Sequence, residues 1–185
     1  MNDNPLIDRD AGPLAAGAAA ASSSRPSASH HPLAPHLFPA RSEPAFEVIA
    51  GDAAAGLLLF CDHASNAVPE DYGSLGLSAS EFERHIAYDI GAAAVTRRLA
   101  ARFGVPAVLS RYSRLVIDPN RGLDDPTLIM RLSDGAVIPG NARVDAGERA
   151  RRIERFYQPY DAAMGAAVDA AMASGRIPVI LSVHS

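Results

Sequence analysis

The stretch GLLLFCDHASN, residues 56–66, decides the fold, because a continuous apolar run ends there abruptly in polar residues. The run Gly56–Cys61 has the length and composition of a strand that is buried on both faces of a sheet. A second run of this kind, IPVILSV over Ile177–Val183, ends in His184 and Ser185. Buried strands that alternate with helical patterns are typical of an α/β protein with a largely parallel sheet. The sequence therefore predicts an α/β fold.

Around these two strands the pattern predicts two long helices and several short strands. Ser78 and Glu81 have the spacing of a helix capping box, and Gly104 is a helix stop signal. The predicted elements are a strand over 46–50, a helix over Leu77–Phe103, strands over Val105–Ser110 and Leu115–Ile117, a loop-rich segment over Asp118–Arg143 and a helix over Asp145–Ser174.

Composition excludes several classes of protein. The chain has 185 residues and a net charge of −4, and this acidic balance argues against a nucleic-acid binder. No apolar run approaches the ~20 residues that cross a bilayer, and the single cysteine, Cys61, leaves no internal disulfide. All 17 basic residues are arginine, which excludes a Schiff-base or phosphate-binding lysine. We expect a cytoplasmic protein that acts on a small molecule, with no nucleic-acid or membrane partner; its oligomeric state stays open.

The first 44 residues differ from the rest of the chain. They are rich in proline, alanine and serine and show no apolar periodicity, so we predict a disordered low-complexity tail over residues 1–44. Residues 45–185 then form the folded part. A buried strand at the last residues is an unusual place for a fold to finish, so we expect 45–185 to be the N-terminal part of a domain that continues beyond Ser185.

Two histidines occupy equivalent places after the buried strands. His63 follows the first strand and His184 the second. If the two strands are neighbours, both imidazoles reach one crevice, as metal binding requires. Asp89 is the candidate third ligand, and His85, four residues earlier on the predicted helix, is the candidate residue that orients it. The alternatives are strand-end histidines bonded to backbone, and a hydrogen-bonded pair on the helix surface.

Arginine clusters in one short segment. Arg111, Arg114 and Arg121 lie within a dozen residues, and the planar guanidinium matches a carboxylate, so this segment suits an acidic substrate. The alternative is that these arginines pair with Asp118, Asp124 and Asp125 on the surface. Asn66, three residues after His63, is a candidate to bond substrate. The arginines Arg151, Arg152 and Arg155 are predicted to lie on a solvated helix face.

Four segments of the chain together resemble the N-formylglutamate amidohydrolase family. They are CDHASNAVP over Cys61–Pro69, HIAYDIGA over His85–Ala92, the run Arg111–Arg121, and SVHS over Ser182–Ser185. The resemblance covers roughly residues 46–185 in order. It implies a three-layer α/β sandwich of the phosphorylase/hydrolase-like type around a mainly parallel or mixed sheet, similar to the zinc carboxypeptidases.

The resemblance also implies a function. The family hydrolyses the formyl amide of N-formyl-L-glutamate to formate and glutamate, a step of histidine breakdown, with a divalent metal that we expect to be Zn²⁺. It assigns His63, Asp89 and His184 as ligands, and Asn120-Arg121 resembles the pair that holds a substrate carboxylate in zinc carboxypeptidases. The general base is expected beyond Ser185, so no catalytic base is assigned here.

Two other functions stay open at this point. One is a zinc carboxypeptidase or deacylase that removes a different acyl group. The other is a non-catalytic remnant that binds carboxylates through its arginines without cleaving them.

Overall fold

The computed structural model describes residues 43–185. The predicted disordered tail therefore lies outside the described residues, except for Glu43 and Pro44 at its end.

The strands of the described residues are β1 Phe46–Ile49, β2 Leu57–Cys61, β3 Ala107–Ser110, β4 Leu132–Ser133, β5 Ala136–Val137 and β6 Val179–Ser182. Four of the six strands, β1, β2, β3 and β6, lie close to predicted places, whereas β4 and β5 fall within the segment predicted to be loop-rich. The same four strands form a sheet in the order β1-β3-β2-β6, and β4 pairs with β5 in a separate hairpin. Strand β2 is parallel to both β3 and β6, whereas β1 is antiparallel to β3. The mixed, mainly parallel sheet is therefore confirmed.

Helices cover both faces of the sheet. They are α1 Ala92–Phe103, α2 Ala146–Arg152 and α3 Gln158–Ala173, with a π-helical turn over Ile153–Tyr157 that joins α2 to α3. On one face, the cluster with α1 contains Leu59, Cys61, Ala92, Ala100 and Leu109. On the other, the cluster with α3 contains Leu58, Phe60, Val108, Tyr160 and Ala171. Alternate residues of β2 thus enter opposite layers, which explains its unbroken apolar run and confirms the three-layer sandwich.

The helix predicted over Leu77–Phe103 is wrong in its first half. Only a short 3₁₀ helix, Ala79–Glu83, forms there, and α1 begins after Gly91, which has a left-handed backbone with φ of 84°. Residues between these two helices bond to distant parts of the chain. The Asp89 N–H donates to the His63 carbonyl at 3.0 Å, and the Ala87 carbonyl accepts from the Arg114 N–H at 3.3 Å. These tertiary bonds replace the helical ones, so local propensity is overridden.

The strand predicted over Leu115–Ile117 is also wrong. These residues form a buried turn, in which Val116 N–H donates to the Ser113 carbonyl at 2.9 Å. A short apolar run fits a buried turn as well as a strand, and its periodicity cannot separate the two. The helix predicted over Asp145–Ser174 is confirmed by the continuous run from α2 to α3.

The prediction that Arg152 lies on a solvated helix face is wrong. Its side chain is 2% exposed, whereas that of Arg151 is 68% exposed. Arg152 donates to Glu148 at 2.8 Å, to the Val116 carbonyl at 2.8 Å and to Asn141 Oδ1 at 2.7 Å. Asn141 in turn donates to the Leu115 carbonyl at 2.8 Å. This buried network holds the segment that follows β3 in place.

The second apolar run forms the predicted strand, but the prediction that it is buried is wrong: β6 lies at one edge of the four-stranded sheet, and its residues are exposed. Within residues 43–185, no helix has both the length and the apolar character needed to span a bilayer.

We predict that Arg152→Met destabilises the protein by about 3 kcal/mol, since the Val116 carbonyl and Asn141 lose their donor while buried. Arg151→Met, one residue away and exposed, should change stability by less than about 0.5 kcal/mol. Urea unfolding measures both. Equal stability of the two variants would contradict the structural role of Arg152.

The ion pair between Glu148 and Arg152 also predicts that the stability of the protein depends on pH. Burial raises the pKa of Glu148, but its hydrogen bonds with Arg152 and Arg151 outweigh that effect, so the pKa lies below its ordinary 4.5. The stability that Glu148 contributes is therefore complete above pH 4.5 and lost as the pH falls through the lowered pKa. The stability gap between wild type and Arg152→Met should shrink in urea titrations below pH 4.5.

The single cysteine should be unreactive in the folded protein. Burial raises the pKa of the Cys61 thiol to about 11, so only about one molecule in a thousand is a thiolate at pH 8. We expect an aromatic disulfide reagent to modify Cys61 only after urea unfolding, with one equivalent released. Modification of the native protein at the rate of a free thiol would show that β2 is not buried as described.

Candidate metal centre

The predicted ligands sit at one edge of the sheet because three parallel strands end there. His63 lies two residues after β2, and His184 lies two residues after β6. The loop after β2 is fixed by Ser110 at the end of β3, whose hydroxyl donates to the Asp62 carbonyl. Asp89 joins from the other side, through its N–H bond to the His63 carbonyl. The β2-β6 pairing thus brings together residues more than 100 positions apart.

The three predicted ligands converge. One ligand atom from each of His63, Asp89 and His184 lies within 4.8 Å of the other two. His63 Nδ1 is 3.4 Å from Asp89 Oδ2, and His184 Nδ1 is 2.8 Å from the same oxygen. The His63 and Asp89 side chains are buried at 1% and 4% exposure, while His184 is 35% exposed. The cluster therefore opens to solvent on the His184 side.

The far nitrogen of each ring faces a carboxylate. His63 Nε2 is 2.7 Å from Asp118 Oδ1, and His184 Nε2 is 3.1 Å from Asp62 Oδ2. Both nitrogens of each ring therefore face carboxylate oxygens. With a cation on Nδ1, the Nε2–H of each ring would donate a hydrogen bond to the carboxylate behind it. A carboxylate behind a metal-binding histidine is the usual arrangement in metalloproteins.

This donor set fits a divalent cation. Metal–ligand bonds of ~2.0–2.1 Å in a tetrahedron place neighbouring ligand atoms ~3.4 Å apart. The His63–Asp89 separation of 3.4 Å matches that value, and the 2.8 Å between His184 and Asp89 is the distance of a hydrogen bond with a protonated Nδ1. Three electron-rich atoms within 4.8 Å of one another favour either such a proton or a bound cation between them.

Charge also favours a cation at this place. Asp62, Asp89 and Asp118 are all buried. Arg114 donates to Asp89 Oδ1 at 3.3 Å and to Asp118 Oδ2 at 3.0 Å, and Arg121 Nε lies 3.7 Å from Asp118 Oδ2. Three carboxylates facing two guanidinium groups leave a net negative charge, which a cation neutralises.

Asp118 is held in its ionised form. Burial raises the pKa of Asp118, but the hydrogen bond and charge of His63 and the charge of Arg114 outweigh it, so the pKa lies below its ordinary 3.8. The carboxylate therefore remains an acceptor for His63 at neutral pH.

The residues predicted to bind substrate divide into two groups. Arg114 contacts Asp89 and Asp118 directly, Asn120 donates its backbone N–H to Asp118 at 2.9 Å, and the half-exposed Arg121 borders the same carboxylate. Asn66 instead donates to the Phe82 carbonyl at 3.0 Å, and Arg111 pairs with Glu43 at 3.4 Å. The structure brings the first group to the centre and gives the second group other neighbours.

His85 does not contact Asp89 in the way that the sequence predicted. The helix that was to place both on one face does not form at those residues, and the His85 side chain is 65% exposed, with Nε2 3.6 Å from Asp134. The structure therefore gives no support to an orienting role for His85.

Asp62 and Asp118 were missed as partners of the ligands. Asp62 directly precedes His63, and Asp118 was considered only as a partner of the arginines, which it also is. The rule that a metal-binding histidine needs an acceptor for its second N–H could have singled out both. Tyr160, whose hydroxyl donates to Asp62 Oδ1 at 2.8 Å, was not predicted to contribute to this site.

Comparison with known proteins agrees with this architecture. The sequence profile of the N-formylglutamate amidohydrolase family matches residues 55–185. The crystal structure of the gene product Atu2144 from Agrobacterium tumefaciens is 38% identical, with a TM-score of 0.71, over 76% of this chain and 56% of that one. The structure of N-formylglutamate amidohydrolase from Ralstonia eutropha JMP134 is 25% identical, with a TM-score of 0.58, over 77% of this chain and 57% of that one.

The chain thus spans a little over half the length of these two solved proteins. No curated protein sequence matches it. Because the family profile covers residues 55–185, which is most of the chain, the chain belongs to the N-formylglutamate amidohydrolase family.

Proposed function

We propose that this chain forms part of a cytoplasmic, metal-dependent amidohydrolase that cleaves the formyl amide of N-formyl-L-glutamate, or of a similar N-acyl acidic amino acid, in histidine breakdown. The observation that carries the proposal is the convergence of His63, Asp89 and His184 within 4.8 Å, with a carboxylate behind each imidazole. Two nitrogen donors and one carboxylate oxygen favour zinc and leave a coordination position for water or substrate.

A divalent ion at this centre would supply a nucleophilic water at neutral pH and polarise the formyl oxygen. Residues of the chain would bind and orient the substrate. Arg114 is occupied by Asp89 and Asp118, whereas Arg121 is half exposed at the rim of the centre. Arg121, with the exposed Asn120 beside it, is therefore the residue best placed to hold a substrate carboxylate.

Proton transfer to the leaving amine needs a further group. The three carboxylates at the centre already accept hydrogen bonds from histidine, arginine or hydroxyl groups, so none of them is a free general base. This observation favours a second candidate function, in which the chain by itself binds acidic amino acids at a metal ion without hydrolysing them.

The first experiment measures metal binding by the full chain. We expect one zinc or cobalt ion per molecule, and we expect His63→Ala and His184→Ala each to weaken binding by more than about 100-fold, because a ligand is lost. His85→Ala is the matched control, since His85 is exposed and bonded elsewhere. Competition with a chromophoric chelator gives the dissociation constants.

Two results would defeat the metal centre. One is a wild-type chain that binds no ion, and the other is binding that survives both ligand substitutions unchanged.

The second experiment tests the substrate. With the longer amidohydrolase of which we propose this chain to be part, we expect formate release from N-formyl-L-glutamate. We expect Arg121→Gln to raise KM about 10- to 100-fold with a smaller effect on kcat, since an ionic hydrogen bond worth about 1.5–3 kcal/mol is lost. Arg98→Gln, on the exposed side of α1, is the control. N-acetyl-L-glutamate, followed by acetate release, and N-formyl-L-leucine, followed by formate release, separate the contribution of the acyl group from that of the side chain.

Each outcome has a distinct meaning. Faster release of acetate from N-acetyl-L-glutamate than of formate from N-formyl-L-glutamate would identify a deacylase that removes another acyl group. Arg121-dependent binding of N-formyl-L-glutamate without turnover would establish the carboxylate-binding function in place of hydrolysis. An unchanged KM in Arg121→Gln would remove Arg121 from the substrate site.

A further inference from the structure

A tyrosine from the opposite layer reaches the candidate metal centre. Tyr160 lies on α3, is 1% exposed, and donates its hydroxyl to Asp62 Oδ1 at 2.8 Å. The other oxygen of the same carboxylate accepts from the Ser182 hydroxyl at 3.1 Å and lies 3.1 Å from His184 Nε2. A continuous chain of contacts therefore runs from the core of the sandwich to the third ligand.

The donor in the hydrogen bond between Tyr160 and Asp62 is fixed. Burial and the charge of Asp62 raise the pKa of Tyr160 above its ordinary value of 10. The phenol therefore keeps its proton at neutral pH, so Tyr160 is the donor and Asp62 the acceptor. With Tyr160 on one oxygen, the other is left to Ser182 and to the Nε2–H of His184.

His184 needs such an anchor more than His63 does. His63 is buried, and the Asp118 behind it is held by Arg114 and by the backbone N–H of Asn120. His184 is 35% exposed and follows the edge strand β6. Among residues 43–185, the Asp62 carboxylate and the Ser182 hydroxyl are the groups that lie behind its ring. The orientation of Asp62 therefore decides the orientation of the most exposed ligand.

The π-helical turn before α3 sets the register that makes this contact. It runs over Ile153–Tyr157 and holds an additional residue in one turn. Each added residue rotates the following helix by about 100°. With this register, Tyr157 donates to the Arg121 carbonyl at 3.0 Å, while Tyr160, one turn later, enters the core and meets Asp62. Wide turns of this type occur frequently at functional sites.

We propose that Tyr160 is a positioning residue of the metal centre, and that through Asp62 it fixes the ring orientation and the Nε2–H tautomer of His184 and so strengthens metal binding. The inference rests on the metal centre proposed above. It adds a residue that touches neither the ion nor the substrate.

The test is the affinity of the full chain for Co²⁺ and Zn²⁺, measured by chelator competition. We expect Tyr160→Phe to weaken binding about 10-fold, the lower end of the range for residues behind a metal ligand. The visible absorption of the Co²⁺ form should also change, because His184 is no longer held in one orientation. Tyr112→Phe is the matched control: Tyr112 is a buried tyrosine whose hydroxyl donates to the Glu43 carbonyl at 3.2 Å, and both readouts should match those of wild type.

A double substitution separates positioning from packing. Asp62→Ala removes the carboxylate through which Tyr160 acts, so Tyr160→Phe should cause no further loss of affinity in that background. Ser182→Ala keeps the carboxylate but removes a hydroxyl that contacts both Asp62 Oδ2 and His184 Nε2, and it should weaken binding in the same direction as Tyr160→Phe.

The outcomes are distinguishable. If the wild-type chain binds no ion, the metal centre itself is refuted and the role of Tyr160 with it. If wild type binds and Tyr160→Phe has the same affinity and the same Co²⁺ spectrum, the metal centre stands and the positioning role is refuted. If Tyr160→Phe weakens metal affinity by the same factor in wild type and in the Asp62→Ala background, Tyr160 acts by packing alone.

Discussion

The parallel pairing of β6 with β2 is the constraint on which the rest of the site depends. The register Leu57↔Val179 to Phe60↔Ser182, continued by the bond from Val183 N–H to the Phe60 carbonyl at 2.9 Å, fixes where each strand ends. Because both strands run in the same direction, the residues that follow them meet at one edge. A shift of one residue would turn the side chains of β6 to the opposite faces and would separate the two histidines.

The sheet and its general site could be predicted from sequence because they follow from local patterns. Two apolar runs with polar residues after each run specify parallel strands, and hence the place of His63 and His184, although only β2 is buried and β6 is exposed. Asp89 also lies beside the two histidines, as expected, but the reason given for its place was wrong, since the helix predicted to present it does not form at that residue. Gly91 and the tertiary bonds of residues 87–89 override the helical pattern there.

The contacts behind the ligands could not be predicted in this way. Asp118 and Tyr160 are separated from their partners by 55 and 98 positions, and no spacing rule joins residues at such distances. Tyr160 depends in addition on a π-helical turn, which shifts the helix register without a periodic signal in the sequence. Arg152 was misassigned for a similar reason, because a guanidinium is buried only where a network such as that of Glu148, Val116 and Asn141 exists.

The two histidines of the proposed metal centre are supported by carboxylates in different electrical surroundings. Asp118, behind His63, is bonded to the positively charged Arg114, which takes up part of its negative charge. Within the described part of the chain, the other partners of the Asp62 carboxylate, behind His184, are the neutral hydroxyls of Tyr160 and Ser182. A carboxylate that keeps more of its charge pulls more strongly on the imidazole N–H and makes the opposite nitrogen a better ligand. The more exposed histidine thus has the more strongly polarising partner, which offsets the screening that solvent imposes on it.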